Sequence, residues 1–232
     1  MELDQSLSEY SRLREQECRE LLRLFEELGI ATAERVYASG DVVYREGEYG
    51  DGLYILTSGV LKLFRPYSAT KEATLRLLNN WDIFGHLAFE GETKQRAYAE
   101  AVTECRVTKA PKIFVERAIK RDSRVAFKIL TLSELRLVQY EELVKCLLPR
   151  ETEVRVANLL PLLANKFGQP DGGGGMTIAL RLTHQDLAAM VASTRESVTK
   201  VLNDFRSRDL IAIQSGRITL KDQPALEILS RD

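Results

Sequence analysis

The chain has 232 residues, of which 44% are hydrophobic and 29% charged, and its formal net charge is −1. This composition fits a globular protein with one large domain or two modest ones. It excludes a membrane-spanning class, because no apolar run approaches the roughly 20 residues that a transmembrane helix needs. The N-terminus is polar and acidic and lacks the apolar segment of a secretory signal, so we expect a cytoplasmic protein.

Residues that could carry catalysis or bind a metal are sparse. The three cysteines, Cys18, Cys105 and Cys146, lie far apart, and the chain has only two histidines. No metal-ligand spacing, pair of carboxylates or nucleophile–base arrangement stands out. We therefore expect neither a metal site nor an enzyme.

The first half of the chain predicts a helix followed by a β-rich region. Residues 2–28 carry Leu21, Leu24 and Phe25 at helical spacing, and Gly29 ends the segment. From about residue 33 to residue 112, short β-prone runs alternate with turns rich in Gly, Asp and Asn. These runs lie at 42–44, 53–57, 60–64, 74–78, 98–102 and 105–109. Many short strands at regular intervals predict a small barrel or sandwich.

Residues 122–148 predict one long helix, because no Gly or Pro interrupts them before Pro149. One apolar row holds Ile129, Leu132, Leu143 and Leu147, with Arg136 and Tyr140 between them. A second row holds Leu130, Leu137 and Val144 at seven-residue steps. A helix with two apolar faces must bury both, so we expect one face to cover the barrel and the other to meet a second copy, as in a parallel coiled coil. The alternative is a monomer whose helix lies between two domains.

The sequence then predicts a further helix over 151–167 and a glycine-rich loop over 168–175. No Lys-Ser/Thr follows the glycines, so the segment is not a phosphate-binding loop. We expect an exposed, mobile loop that could serve as a contact surface.

Residues 182–220 predict a helix-turn-helix followed by a β-hairpin. Thr183 is a suitable cap for a helix over 184–190, a three-residue turn follows at 191–193, and a second helix opens at Thr194. Apolar positions that two crossed helices would share are Leu187, Val191, Val198, Leu202 and Phe205. The runs 210–213 and 218–220 form the hairpin, a wing that places Arg217 near a DNA backbone.

The second helix presents Arg195, Glu196, Thr199 and Lys200 on one exposed face near its start. That part of a recognition helix reaches base edges in the major groove, where arginine can bind guanine and glutamate can accept from cytosine. Because residues 151–232 hold equal numbers of basic and acidic side chains, a DNA surface depends on this arrangement and not on bulk charge. The alternative interpretation is an ordinary helix surface with internal salt bridges.

From about Phe25 to Leu229, the chain resembles the cyclic-AMP receptor protein / fumarate–nitrate regulator family of bacterial transcription factors. The most specific segments are STRESVTKVLNDF at 193–205, GEYGDGLYILTSGVLKL at 47–63 and WDIFGHLAF at 81–89. The resemblance implies an α+β fold with a β-barrel sensor domain over 1–121, of the cupin-like jelly-roll type found in cyclic-nucleotide-binding domains. It further implies a dimerisation helix over 122–149 and a winged helix-turn-helix over 150–232.

The resemblance also implies the partners. Such proteins form homodimers that bind palindromic operators and recruit or block RNA polymerase, and the loop 169–175 lies where a member of the family contacts the polymerase. By position, Arg195, Glu196 and Lys200 match the family's base-reading residues, on a recognition helix at 194–206. The predicted DNA-contacting set is Thr183, Ser193, Thr194, Arg195, Glu196, Ser197, Thr199, Lys200 and Arg217.

The resemblance leaves the effector open. Members that bind cyclic AMP carry a glutamate after the Phe-Gly pair and later an Arg-Ser pair, whereas here His86 follows Gly85 and Ala97 follows Arg96. The subgroup that senses 2-oxoglutarate matches RAYAEAV at 96–102 more closely. However, it uses an Arg and a Glu of the long helix where this chain has Leu135 and Tyr140. The candidate effector set is Phe84, Gly85, His86, Leu87, Arg96, Ala97, Arg136 and Tyr140.

Other effectors stay open as well. An iron–sulfur sensor would need a cysteine cluster near the N-terminus, where only Cys18 is present, and a haem sensor would have His86 as its one candidate ligand. A regulator without any ligand is a further alternative. The predicted function is sequence-specific DNA binding by a homodimeric transcriptional regulator, with a small anionic effector near Arg96. The competing hypothesis is a ligand-binding signalling module that acts through protein–protein contacts.

Overall fold

The computed structural model describes residues 2–68, 71–86 and 94–229. The chain folds into two compact units, Met1–Tyr67 with Thr74–Gln139, and Ser68–Ala73 with Tyr140–Asp232. We call them the N-terminal and the C-terminal unit. The boundary falls inside the long helix, so the division into 1–121, 122–149 and 150–232 stays a prediction. None of the helices in the described part of the chain combines the length and apolar character needed to cross a bilayer.

The described residues of the N-terminal half form helices at both ends and eight strands between them. The elements are α1 (Glu2–Glu27), β1 (Ala33–Tyr37), β2 (Val42–Tyr44), β3 (Gly52–Ser58), β4 (Leu61–Ser68), β5 (Lys71–Leu78), β6 (Ile83–Phe84), β7 (Tyr98–Ala101), β8 (Cys105–Pro111), α2 (Lys112–Arg121) and α3 (Arg124–Leu147). Every predicted strand is present. The strands β1 and β6 and the helix α2 were not predicted.

The strands form two four-stranded sheets, in the orders β1-β8-β3-β6 and β2-β7-β4-β5. They are arranged as a jelly roll and do not close into a barrel, which corrects the closed form of the prediction. One core cluster includes Tyr44, Tyr54 and Phe84, whose rings pack against one another. The other joins α1, the β3 sheet and the first half of α3, through residues such as Phe25 and Leu132.

A buried carboxylate connects three elements of the N-terminal unit. Asp82, which is 1% exposed, lies at the centre of this cluster. Its Oδ1 accepts hydrogen bonds from Arg14 Nη1 of α1 (3.0 Å), Arg76 Nη2 of β5 (3.4 Å) and Gln139 Nε2 of α3 (3.3 Å). Its Oδ2 accepts from the backbone N–H of Asn79 (2.9 Å). A buried charge is tolerated only when it is paired and hydrogen-bonded, as this one is.

The long helix begins at Arg124, two residues later than predicted, because Asp122 is extended and ends α2. The two predicted rows differ in burial. Ile129 and Leu132 of the first row are buried in the core of the N-terminal unit. The second row is open, with Leu130 63%, Leu137 57% and Val144 54% exposed. Three large apolar side chains at seven-residue steps therefore face solvent in the single chain.

After the end of α3, the described residues of the C-terminal unit form four helices and four strands. Its elements are α4 (Thr152–Phe167), β9 (Gly168–Pro170), β10 (Met176–Ile178), α5 (His184–Met190), α6 (Arg195–Ser207), β11 (Ile211–Gln214), β12 (Arg217–Leu220) and α7 (Gln223–Leu229). The strands pair in the order β11-β12-β10-β9. The predicted hairpin is β11–β12, and its strands pair in register from Ile211 opposite Leu220 to Gln214 opposite Arg217.

The predicted glycine-rich loop is shorter than expected. Gly168–Pro170 pairs with β10, so only 171–175 remain as the connection. The carboxylate of Asp171 accepts from the N–H groups of Gly173 and Gly175, both at 2.8 Å. The expected mobile loop is thus an exposed turn held by its own hydrogen bonds.

Candidate nucleic-acid interface

A capping box fixes the start of α5. Thr183 Oγ1 accepts from the N–H of Asp186 (3.1 Å), and Asp186 Oδ2 accepts from the N–H of Thr183 (2.8 Å). Each side chain satisfies a backbone donor that the first helical turn leaves without a partner. The predicted cap is confirmed, and the side chain of Thr183 is used within the protein.

A backbone reversal and a second helix cap fix the turn between the two helices and the start of α6. Ala192 adopts a positive φ of 50°, which allows the chain to reverse between the two helices. Thr194 then caps α6, its Oγ1 accepting from the N–H of Ser197 (3.2 Å). The five apolar residues predicted to form the shared core are all buried: Leu187, Val191, Val198, Leu202 and Phe205. The helix-turn-helix geometry therefore follows from two caps and one small core.

The predicted base-reading residues lie together on the surface. Arg195, Glu196, Thr199 and Lys200 line an open depression of about 560 Å³, together with Asn203. Arg195, Glu196 and Lys200 are exposed. Sequence analysis missed Asn203, although it lies one helical turn after Thr199 and the same periodicity could have identified it.

Thr199 has a structural role that the sequence did not indicate. Its hydroxyl donates to the carbonyl of Arg195 (2.7 Å) and lies 2.7 Å from Nδ1 of His184. Because the hydroxyl proton goes to the carbonyl, Nδ1–H of His184 is the donor to Thr199. This pair connects the first turn of α5 to the middle of α6.

The hydroxyl of Ser193 also forms a hydrogen bond within the protein. Its Oγ forms a hydrogen bond with Oγ1 of Thr152 on α4 (2.9 Å). The hydroxyls of Ser193 and Thr199 therefore position the recognition helix, and any contact with DNA would be in addition to this role.

The wing brings two arginines near the start of α5. Ser215 and Gly216 both have positive φ, 51° and 77°, as the tight turn between β11 and β12 requires. Arg217 is exposed at the start of β12. Sequence analysis missed Arg181, which is exposed and whose Cγ lies against Gly216. A cation two residues before the cap Thr183 was the available signal.

The cations of the predicted DNA-contacting face differ in their ion pairing from Arg208 and Lys221 of the same unit. Arg208 pairs with Glu153 and Asp204, and Lys221 pairs with Asp209. Within the described residues, Arg181, Arg195, Lys200 and Arg217 form no ion pair. Glu196 and Lys200 are one turn apart but do not bond, so the alternative of a salt-bridged helix surface is not what the structure contains. Among the described residues, a unit with balanced charge thus leaves these four cations outside any ion pair.

The candidate effector residues are divided between the core and a cationic cluster. Phe84 packs in the core against Tyr44 and Tyr54, at ring distances of 6.0 and 5.2 Å, and Ala97 is buried. Leu87 lies outside the described residues. Tyr140 is half-buried on α3, one turn after Arg136.

The other candidates come together around His86. The carbonyl of Gly85 accepts from Arg136 Nη1 (3.3 Å), and the N–H of His86 donates to Gln95 Oε1 (3.1 Å). Burial lowers the pKa of His86, and the nearby charges of Arg96 and Arg136 lower it further. Gln95, which sequence analysis missed, is buried, and its Nε2 has no hydrogen-bond partner among the described residues. Cations and an unused donor thus converge here.

Comparison with known proteins identifies both halves of the chain. A cyclic nucleotide-binding domain matches residues 34–122, and a Crp-like helix-turn-helix domain matches residues 154–229. The global nitrogen regulator of Synechococcus elongatus is 33% identical over 89% of this chain and 95% of its own length. The chain belongs to the Crp/Fnr family of transcriptional regulators.

Further relatives agree with this assignment. A CRP-like cAMP-activated global transcriptional regulator of Mycobacterium tuberculosis is 29% identical over 82% of this chain and 84% of its own. The crystal structure of a CRP-family transcriptional regulator from Thermus thermophilus superimposes with a TM-score of 0.73 at 29% identity, covering 85% of this chain and 97% of that one. The predicted family and fold class are confirmed. This Crp/Fnr protein is a DNA-binding transcriptional regulator with a winged helix-turn-helix.

Proposed function

We propose that this Crp/Fnr regulator binds a two-fold symmetric DNA site as a homodimer, with α6 in the major groove of each half-site. The observation that supports the proposal most directly is the set of unpaired cations around the recognition helix. Arg195 and Lys200 lie on the exposed face of α6, and Arg217 lies on the wing. Cations without an internal partner are available to phosphates and base edges.

The chemistry of each side chain indicates which part of the DNA it would contact. Arg195 can form two hydrogen bonds with guanine, and Glu196 can accept from the amino group of cytosine. Lys200 reaches either a base or a phosphate. Thr194 and Ser197 at the start of α6 are suited to phosphates, where the helix N-terminus also favours an anion. Arg181 and Arg217 flank the wing turn and complete the backbone contacts, to which Thr183 and Ser193 contribute through the segments they cap and support.

The homodimer is supported by the open row on α3. Leu130, Leu137 and Val144 recur at seven-residue steps, the period of a coiled-coil interface, and Phe127, one helical turn before Leu130, is 67% exposed. Two copies of the row would remove these side chains from water. We assign the turn 171–175, within the predicted contact loop 169–175, to RNA polymerase, and we place the protein in the cytoplasm with its DNA.

We further propose that the cluster around His86 receives a small anion that controls DNA binding. Arg96 and Arg136 supply charge, and the neighbouring residue Gln95 has a buried Nε2 donor without a partner among the described residues. Cyclic AMP and 2-oxoglutarate both carry a negative charge that arginines can pair with. A relative of this chain is named as cAMP-activated and others as nitrogen regulators, so both classes are candidates.

Selection of random DNA by the full-length protein tests the DNA-binding proposal. The expected outcome is an enriched motif with two-fold symmetry. Arg195→Ala should then lose about 1–3 kcal/mol of discrimination at one guanine in each half-site, because one bidentate contact is removed. Arg206→Ala is the matched control, since this exposed arginine lies in the last turn of α6. It should keep the base preference.

A different result would favour the alternative function. If the protein dimerised and bound an anion tightly but showed no affinity for DNA even at low salt, it would be a signalling module. The exposed face of α6 would then be a protein-binding surface.

A further inference from the structure

The guanidinium of Arg155 joins two connections of the C-terminal unit that lie far apart in the sequence. Arg155 lies in the first turn of α4. Its Nε donates to the carbonyl of Pro149 (2.8 Å) and its Nη2 to the carbonyl of Arg150 (2.8 Å), both in the connection from α3. Its Nη1 donates to the carbonyls of Val191 (2.9 Å) and Ala192 (3.2 Å), in the turn before α6.

The acceptors explain why an arginine is needed here. Val191 is the C-cap of α5, where the last carbonyls have no partner within the helix. Ala192 has the positive φ that reverses the chain. A planar guanidinium with five N–H donors in fixed directions can serve both connections at once. A lysine ammonium has three donors around one point and cannot span the same four carbonyls.

A second contact reinforces the same link. Thr152, three residues before Arg155, bonds through its hydroxyl to Ser193 (2.9 Å). Ser193 directly precedes Thr194, the cap of the recognition helix. The connection after α3 and the first turn of α4 are therefore tied to the turn before α6, through the side chains of Arg155 and Thr152.

We propose that Arg155 is a positioning residue that fixes the direction of α6 relative to the end of α3. The proposal rests on the proposed homodimer, in which α3 carries the interface and α6 reads DNA. In such a dimer the angle at this junction sets the distance between the two recognition helices. Half-sites are read about 34 Å apart, and a shift of one base pair is about 3.4 Å. Arg155 thus determines the half-site spacing that the regulator accepts.

The test uses the full-length protein and three versions of its selected palindrome, with the natural spacing and with one base pair added or removed. The wild-type protein should prefer the natural spacing clearly. R155K should reduce that preference about tenfold, the effect of losing roughly one charge-assisted hydrogen bond. Its preference for guanine at the position read by Arg195 should stay unchanged.

Arg206→Lys is the matched control, because Arg206 is an exposed arginine in the last turn of α6 of the same unit. It should keep the natural spacing preference. T152V removes the hydrogen bond to Ser193 and leaves Arg155 unchanged. It should also reduce the preference for the natural half-site spacing, by a smaller factor than R155K. This variant keeps the test valid if R155K does not fold.

The outcomes separate the proposals. R155K and T152V with wild-type spacing preference would overturn the inference. An equal loss of base preference and spacing preference, with a lower unfolding midpoint, would assign Arg155 a purely structural role and would also overturn it. A wild-type protein that selects no two-fold symmetric site would overturn the proposed homodimer on DNA, and the spacing role with it.

Discussion

The two units differ in where they keep their polar side chains. All the buried polar and charged side chains of the described residues belong to the N-terminal unit: Arg14, Glu17, Thr74, Arg76, Asp82, Gln95 and Thr108. In the C-terminal unit the buried side chains are apolar, and the cations predicted to contact DNA are exposed. The difference follows from the tasks. A surface that reads DNA must offer its charges to a large partner, whereas charges inside a unit can respond only to neighbouring elements or to a small molecule.

The buried polar network of the N-terminal unit is tested most directly at Asp82. Asp82→Asn removes the charge that two buried arginines share, and we expect a loss of about 3–5 kcal/mol in the free energy of unfolding. The single tryptophan, Trp81, is the neighbouring residue, so its fluorescence during urea unfolding reports the N-terminal unit.

Glu34→Gln provides the control for this measurement. Glu34 pairs with Arg106, and both side chains are about half exposed. An exposed pair of this kind contributes at most about 1 kcal/mol. Equal effects of the two substitutions would show that the buried network does not stabilise the unit.

In the C-terminal unit a helix cap offers the corresponding test. Thr183→Ala removes the capping box of α5, and we expect the free energy of unfolding to fall by about 1 kcal/mol. Circular dichroism should show the change, while the Trp81 fluorescence transition should keep its midpoint. Ser207→Ala, at the far end of α6, is the control and should change stability by less than about 0.5 kcal/mol. A matching shift of the fluorescence transition would contradict the expectation that the cap stabilises only the C-terminal unit.

The smallest effect concerns the pH dependence of His86. Its pKa in the folded protein lies below the ordinary value of 6.5, chiefly because of burial. Between those two values the unfolded chain binds more protons than the folded one, so stability falls as pH drops below about 6.5. His86→Gln should remove this part of the pH dependence of the urea midpoint.

A bound anion should reverse that shift. Because the chain has only two histidines, NMR can follow His86 alone during titration with cyclic AMP, 2-oxoglutarate or inorganic phosphate. We expect the pKa of His86 to rise with the ligand that places a negative charge beside Arg96 and Arg136. An unchanged pKa with all three would count against an anionic effector of these classes at this cluster.

The features that the sequence could predict also differ between the N-terminal and the C-terminal unit. The helix-turn-helix depends on contacts within about 20 residues, so its caps, turn, core and exposed face could all be read from the order of residues. The strand β1 could not, because its residues are nearly all exposed and show no alternation. The Asp82 network could not either, since Arg14 and Gln139 lie 68 and 57 residues from the carboxylate that they share. Phe84 matched an effector motif, yet its ring belongs to the core.

The exposed row of Leu130, Leu137 and Val144 on α3 has a consequence for how the amount of active regulator is controlled in the cell. Under the proposed homodimer, Leu130, Leu137 and Val144 are covered only when two chains associate, so the amount of active species obeys mass action. In dilute solution the dimer population rises with the square of the chain concentration. The level of expression is then an input signal in its own right, and the promoter that drives this gene would act as one of the regulator's controls.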